Sequence, residues 1–243
     1  MRTRVANSIF QSIAYFVILE GVILNLGYNL DFQHKHPLNF RPNGLKMTKG
    51  QRTREFILEK SAAVFNQHGY AASSLSDLML ATGLEKGGIY NHFASKEQLA
   101  LEAFDYAVAL IEKRFELRLE GRTLALERLR ALMEVFLEFI HDPVLPGGCP
   151  VLNAAIEADD SNEKLRERIR LVLNSWRTRI QGIVEKGVSL GELKPDTDGA
   201  ILATVVLSTL EGAVMMSKIY RDTKHMQITA TFLEAHLKTL VQE

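Results

Sequence analysis

Cysteine is nearly absent from this 243-residue chain, which has only Cys149. A single thiol excludes a disulfide within the chain, and a reducing cytoplasm is its natural setting. Proline is scarce too, with six residues, and aromatic residues make up 8%. The apolar–polar alternation that marks a half-buried strand is missing, which leaves helix as the dominant element. Neither charge sign is in excess, because 29 Lys and Arg balance 29 Asp and Glu. Bulk charge therefore announces no nucleic-acid partner. Such a contact must come from a local patch, or from dimerisation that doubles a small one. The marks of an enzyme are lacking as well. There is no phosphate loop and no nucleophile with a base at fixed spacing. His34, His36, His68, His92, His141, His225 and His236 are scattered without metal-ligand spacing. The sequence predicts no catalytic residue, metal site or cofactor.

Apolar residues at 47% and charged residues at 24% are ordinary for a soluble globular protein. The informative stretch is Leu75 to Phe93. Leu75, Leu78 and Met79 recur at helical spacing, and Thr82-Gly83 ends that helix because Gly adopts the left-handed conformation readily. A second short helix begins at Glu85 or Lys86. Its outward positions are Lys86, Gly87, Gly88, Tyr90, Asn91 and His92, while Ile89 and Phe93 point inward. Small residues bring a backbone close to a groove, and the polar side chains donate to phosphates and base edges.

Around this pair the chain reads as consecutive helices. Residues 1–46 differ from the rest: Arg2 and Arg4 precede an apolar run, Ile9 to Leu30, interrupted by Glu20 and by polar residues. The run is too broken for a membrane span, and the expectation is a weakly ordered extension or an artefact of start-site choice. Thr48 to Gly69 is a helix with Phe56, Ile57, Ala63 and Val64 near one face. Lys49, Arg52 and Arg54 crowd its first turns, where cations oppose the helix dipole; a phosphate partner accounts for them. Ser74 with Asp77, and Ser95 with Gln98, have capping-box spacing. Long helices follow, about Ser95 to Leu119 and Thr123 to His141. After a Gly/Pro-rich loop comes a short helix, Val151 to Ala158. Asp159, Asp160 and Ser161 are expected to cap the next, which reaches Val188 and carries basic residues, Arg179 among them, read as solvated. The most apolar helix is expected at about 196–220, and the last at about 225–241. Apolar character around most of a helix demands cover on more than one side, and a second copy is the expected cover.

The string Lys86-Gly-x-Ile-Tyr-x-His-Phe-x-Ser-Lys-Glu97, preceded by Gly69-Tyr70, Ser74-Leu75 and Thr82-Gly83-Leu84, resembles the TetR/AcrR family of transcriptional regulators. The likeness covers about fifty residues. Gly148-Cys149-Pro150 with Asn153, Glu157 and Asp159-Asp160 resembles a subset of that family. The resemblance implies an all-α fold: a helix-turn-helix DNA-binding domain over 47–97, then a helical effector-binding and dimerisation domain over 98–243. It implies a cytoplasmic homodimer joined through helices 196–220 and 225–241. The dimer would bind double-stranded operator DNA, most often as a repressor, and would be released by a small hydrophobic effector; no stable membrane partner is expected.

Carried over by position, Lys86, Tyr90, His92 and Lys96 are candidates for phosphate contact. Gly87, Gly88 and Asn91 would face base edges, Ser74 and Ser76 would donate to phosphate, and Arg52 and Arg54 would reach the flanking backbone. Glu85 departs from the serine common in the family; it caps its helix through the dipole, weakens nonspecific attraction by sitting near phosphates, or accepts from a cytosine amino group. From Met47 to Glu97 the chain carries six basic and five acidic residues, so a modest salt dependence is expected. Candidate effector-lining residues are Phe104, Val108, Met133, Phe136, Ile140, Cys149, Trp176 and Ile180. The competing readings are a helical adaptor without DNA binding and a thiol-reactive sensor using Cys149.

Overall fold

The computed structural model describes residues 47–158 and 162–242. The extension over 1–46 and the expected cap at 159–161 lie outside the described residues. The chain divides into two units, Met1–Arg52 and Thr53–Glu243, and the packing described below is internal to the second.

Among the described residues there are nine helices: α1 (Lys49–His68), α2 (Leu75–Thr82), α3 (Lys86–Tyr90), α4 (Lys96–Leu119), α5 (Ala125–His141), α6 (Pro150–Ala158), α7 (Glu163–Ser189), α8 (Gly199–Tyr220) and α9 (Lys224–Thr239). The fold is all-α. One isolated bridge, Leu193 with Val241, fastens the α7–α8 link to the chain end.

Local chemistry sets the boundaries. Ser74 Oγ accepts from the Asp77 amide at 3.2 Å, and Asp77 Oδ2 accepts from the Ser74 amide at 2.7 Å, completing the capping box of α2. The Ser74 amide and hydroxyl both donate to Asp77 Oδ2, and these two bonds hold the Asp77 carboxyl below its ordinary pKa. At Ser95 the box is altered: Ser95 Oγ accepts from the Gln98 amide, but the Gln98 side chain accepts from Ala94. α7 is capped by Asn162, whose Oδ1 accepts from Leu165 N at 3.1 Å. α8 starts at Gly199, three residues later than expected, because Asp198 Oδ1 accepts from the amides of Ala200 and Ile201.

α1 buries Ile57, Leu58, Ser61, Ala62, Val64, Phe65 and Asn66, an i, i+3/i+4 pattern. Phe56, expected on that face, lies at its rim, 36% exposed, with Lys60 Nζ 5.6 Å from its ring. α4 packs on α5, α6 and α7, and α8 packs on α5, α7 and α9. The body core holds a cluster of Phe115, Phe136, Phe139 and Trp176, with neighbouring rings 5.5 to 6.2 Å apart.

Asn66, buried at the end of α1, ties the α5–α6 loop in place. Its Nδ2 donates to Pro146 O at 2.8 Å and Gly148 O at 3.1 Å. Asn153 Nδ2, on α6, donates to Asn66 Oδ1, Asn66 O and Gly147 O. Gly147 has φ +110°, and a Cβ there would stand 2.6 Å from Asn66 O, so only glycine fits. Asn66→Ala strands several buried polar groups, and urea unfolding is expected to show a loss of roughly 2 to 3 kcal/mol. A loss within 0.5 kcal/mol, the range of an ordinary surface change, would mean the loop holds itself.

Candidate nucleic-acid interface and effector pocket

Two helices and a three-residue joint, Gly83 to Glu85, build the exposed face of the head. α2 ends at Gly83, φ +66°, whose amide donates to Met79 O at 2.8 Å. Thr82 Oγ1 donates to Leu78 O and accepts from the Leu84 amide, which turns the chain towards α3. Leu78, Ile89 and Phe93 are fully buried. Anchored by Ile89, α3 leaves Lys86, Gly87 and Asn91 exposed and Gly88, Tyr90 and His92 partly so. Lys86 Nζ lies 5.9 Å from the Tyr90 ring centre.

The two glycines of α3 serve different ends. A Cβ on Gly88 would press within 3.3 Å of Leu84 Cβ, so packing of this chain accounts for it. A Cβ on Gly87 would meet nothing within 4 Å. Its φ is not in the left-handed region, so neither packing nor backbone strain in this chain requires glycine there. Ser74 and Ser76 are exposed on the α2 side. Glu85 precedes α3 with extended backbone, and its side chain makes no cap hydrogen bond, so it does not cap the helix directly. Leu80, 86% exposed on α2, is a feature that sequence reasoning passed over.

Two of the expected DNA-contacting cations are already engaged. Arg54 pairs with Glu102 on α4 and stacks over the Phe93 ring at 4.6 Å, so it braces the head. Lys96 Nζ donates to Ala71 O at 3.4 Å. Arg52, in the first unit, is exposed.

In the body, Phe115, Leu132, Phe136, Trp176, Arg179, Ile180 and Leu207 surround a void of about 10 Å³, room for one water. Of the residues expected to line a pocket, Phe136, Trp176 and Ile180 do. Phe104, Val108, Met133, Ile140 and Cys149 do not line this void; Phe104 sits instead edge-on to Tyr70, 6.4 Å away. Arg179 was expected in solvent. It pairs with Glu112 and stacks on Phe115 at 5.1 Å, and its position three residues after Trp176 put it on the same helix face.

Known proteins carry the same architecture. The family model for bacterial regulatory proteins of the tetR family matches residues 57–103, and the model for the tetracyclin repressor-like C-terminal domain matches 125–233. A solved TetR transcriptional regulator from Chloroflexus aurantiacus J-10-FL is 46% identical, with TM-score 0.78, over 80% of this chain and 98% of that one. A solved TetR-family regulator from Cytophaga hutchinsonii is 32% identical, with TM-score 0.74, over 82% and 100%. The chain belongs to the TetR family. Among curated relatives are the transcriptional repressor DhaR of Mycobacterium sp. (strain GP1), 26% identical over 70% of this chain and 84% of its own length, and the regulator AcuR of Cereibacter sphaeroides, 28% identical over 85% and 94%. This TetR-family chain is a DNA-binding transcriptional regulator, not an enzyme.

The Gly/Pro loop holds a second buried site in this regulator. Cys149 is fully buried, and its Sγ donates to Glu211 Oε1 at 3.0 Å. Burial, then the neighbouring carboxylate, pushes the thiol well above its ordinary pKa. The sulfur is therefore held as a protonated thiol, a poor nucleophile, which argues against a thiolate sensor. Burial pushes the Glu211 carboxyl up to about 7, and its Oε2 is buried with no hydrogen-bond partner. A carboxyl whose folded pKa exceeds its ordinary 4.5 stabilises the fold fully below that value and loses this contribution as pH rises towards 7. Glu211→Gln is expected to change stability little at pH 4.5 and to raise it at pH 8 by up to roughly 3 kcal/mol. Urea unfolding at a series of pH values measures this. An unchanged pH profile would show that Glu211 stays ionised.

Proposed function

We propose that this TetR-family regulator is a cytoplasmic homodimeric repressor of a near-palindromic operator, released when a small effector enters the body. In this reading the head spans 47–97 and the effector and dimerisation domain 98–243. Lys86, Tyr90 and His92 contact phosphates, and Gly87 and Asn91 approach base edges, with Ser74, Ser76 and Lys96 at the flanks. Gly87 supports this reading most directly, because a residue kept small towards open space makes sense against an outside surface. No cofactor is involved.

The dimer is supported by the outer faces of α8 and α9. Ile201, Ile219, Tyr220, Ile228 and Phe232 are each about two-thirds or more exposed there, and an apolar patch on this scale marks an interface. α8 also meets the length and hydropathy of a membrane span, with 39% of its most apolar window buried. Its buried side packs on α5, α7 and α9, and the exposed side is the face that a second copy would cover. The repressor assignment is supported by DhaR, which is named as one. Release by an effector is a population shift between two head arrangements.

Gly87→Ala separates DNA contact from folding. Alanine favours a helix over glycine by up to about 1 kcal/mol, so the melting temperature should hold or rise. Affinity for the promoter DNA that the protein selects from genomic fragments should fall about tenfold, a cost of about 1.4 kcal/mol, read by fluorescence anisotropy. Unchanged affinity would remove Gly87 from the interface. If the folded dimer shifts no DNA at low salt, the adaptor reading replaces the repressor.

A further inference from the structure

The void in the body is apolar on nearly every side, with one polar exception. Phe115, Phe136 and Trp176 supply three aromatic walls, and Leu132, Ile180 and Leu207 supply aliphatic ones. The exception is Arg179. Its Nη2 donates to Glu112 Oε2, while its Nη1 is buried and has no hydrogen-bond partner. Glu112 itself is fully engaged: Oε1 accepts from Trp176 Nε1 at 2.8 Å and Oε2 from Arg179. The group left over is therefore a buried donor on a cation, on a side chain that borders the void. A buried unpaired donor is costly, and an ionised acceptor satisfies it best.

We infer that the effector of this pocket is a small amphipathic carboxylic acid. Its carboxylate accepts from Arg179 and its apolar body lies among Phe115, Phe136 and Trp176. This rests on the effector reading above and goes beyond it by naming the head group. Specificity follows from the free donor, since a site built to hydrogen-bond an oxygen leaves that donor stranded against a purely apolar ligand. The void as it stands holds only a water, well short of the roughly 300 Å³ of a small-molecule site. Entry therefore parts the rings around Trp176, and the carboxylate competes with Glu112 for the guanidinium. Trp176 and Arg179 share α7, while Glu112 and Phe115 share α4. Entry thus separates α7 from α4, the helix that also carries Glu102, the partner of Arg54 in the head.

Trp176 is the one tryptophan in the chain, so its fluorescence reports this pocket alone. The full-length protein is titrated with 4-phenylbutyrate, 4-phenylbutanamide and 4-phenylbutan-1-ol, which share a body and differ in head group. The acid is expected to perturb Trp176 with a Kd at least tenfold below that of either neutral analogue. Glu112→Gln keeps an oxygen for the indole but releases the guanidinium, and it is expected to tighten the acid several-fold. Arg179→Lys keeps the charge but loses the fork, and Arg179→Met loses both; each is expected to abolish the acid's tenfold advantage. Circular dichroism checks both folds, and either folded variant suffices. Equal affinity for all three ligands, or an advantage that survives both Arg179 variants, overturns the carboxylate assignment and leaves the pocket standing. No response of Trp176 to any of the three at millimolar concentration counts against the pocket, and the assignment falls with it.

Discussion

The Glu157 carboxylate on α6 holds the joint on which the head depends. Its two oxygens accept from the amides of Tyr70 and Ala71, at 3.0 and 2.9 Å, in the connector between α1 and α2. A Cβ on Gly69, beside it, would come within 2.7 Å of Glu157 Oε1. Tyr70 lies buried below, stacked on Phe65 at 5.2 Å, and burial raises its hydroxyl pKa. Asn66 and Asn153 fasten the same region one turn away. A head of one long and two short helices encloses too little apolar surface to stand well alone. The body thus supplies a second set of bonds that fixes where α2 and α3 lie.

That joint reaches the proposed effector pocket by two physical routes. One is α4, which carries Glu102 under the head and Glu112 and Phe115 beside the void. The other runs from Glu157 and Asn153 on α6, through the glycine loop and Cys149, to Glu211 and Lys218 on α8, the helix whose Leu207 borders the void. Both consist of discrete hydrogen bonds and ion pairs, which exchange partners rather than deform smoothly, and such elements suit a two-state regulator. The head carries almost no net charge over 47–97, so the placement of its few polar groups matters more than attraction from a distance.

Much of this was legible in the residues. The capping pair Ser74 and Asp77, the stop at Gly83 and the inward Ile89 and Phe93 follow from short-range chemistry, and they fix the head. The order of the body helices follows from apolar periodicity. The tertiary employment of charges was not legible: in one dimension Arg54 and Lys96 read as phosphate-contacting cations and Arg179 as a solvated one, and their partners Glu102, Ala71 and Glu112 lie 48, 25 and 67 residues away. Asn153 and Glu157 stood out only as part of a family likeness, because a side chain that caps a distant loop leaves no periodic trace. Seven of the eight pocket candidates shared one signal, a place on an apolar helix face, which does not tell a lining residue from a core residue; the eighth, Cys149, was singled out as a thiol in its loop. The void selected three of them.

Glu157→Ala tests the joint most directly, with amide hydrogen exchange and operator affinity measured on the same protein. The account predicts faster exchange at Tyr70 and Ala71, unchanged protection in the buried turns of α7 and α8, and operator binding weakened about tenfold, or about 1.4 kcal/mol. Wild-type exchange at those two amides together with wild-type affinity would contradict it, and the head would then be positioned by its own core and α4 alone.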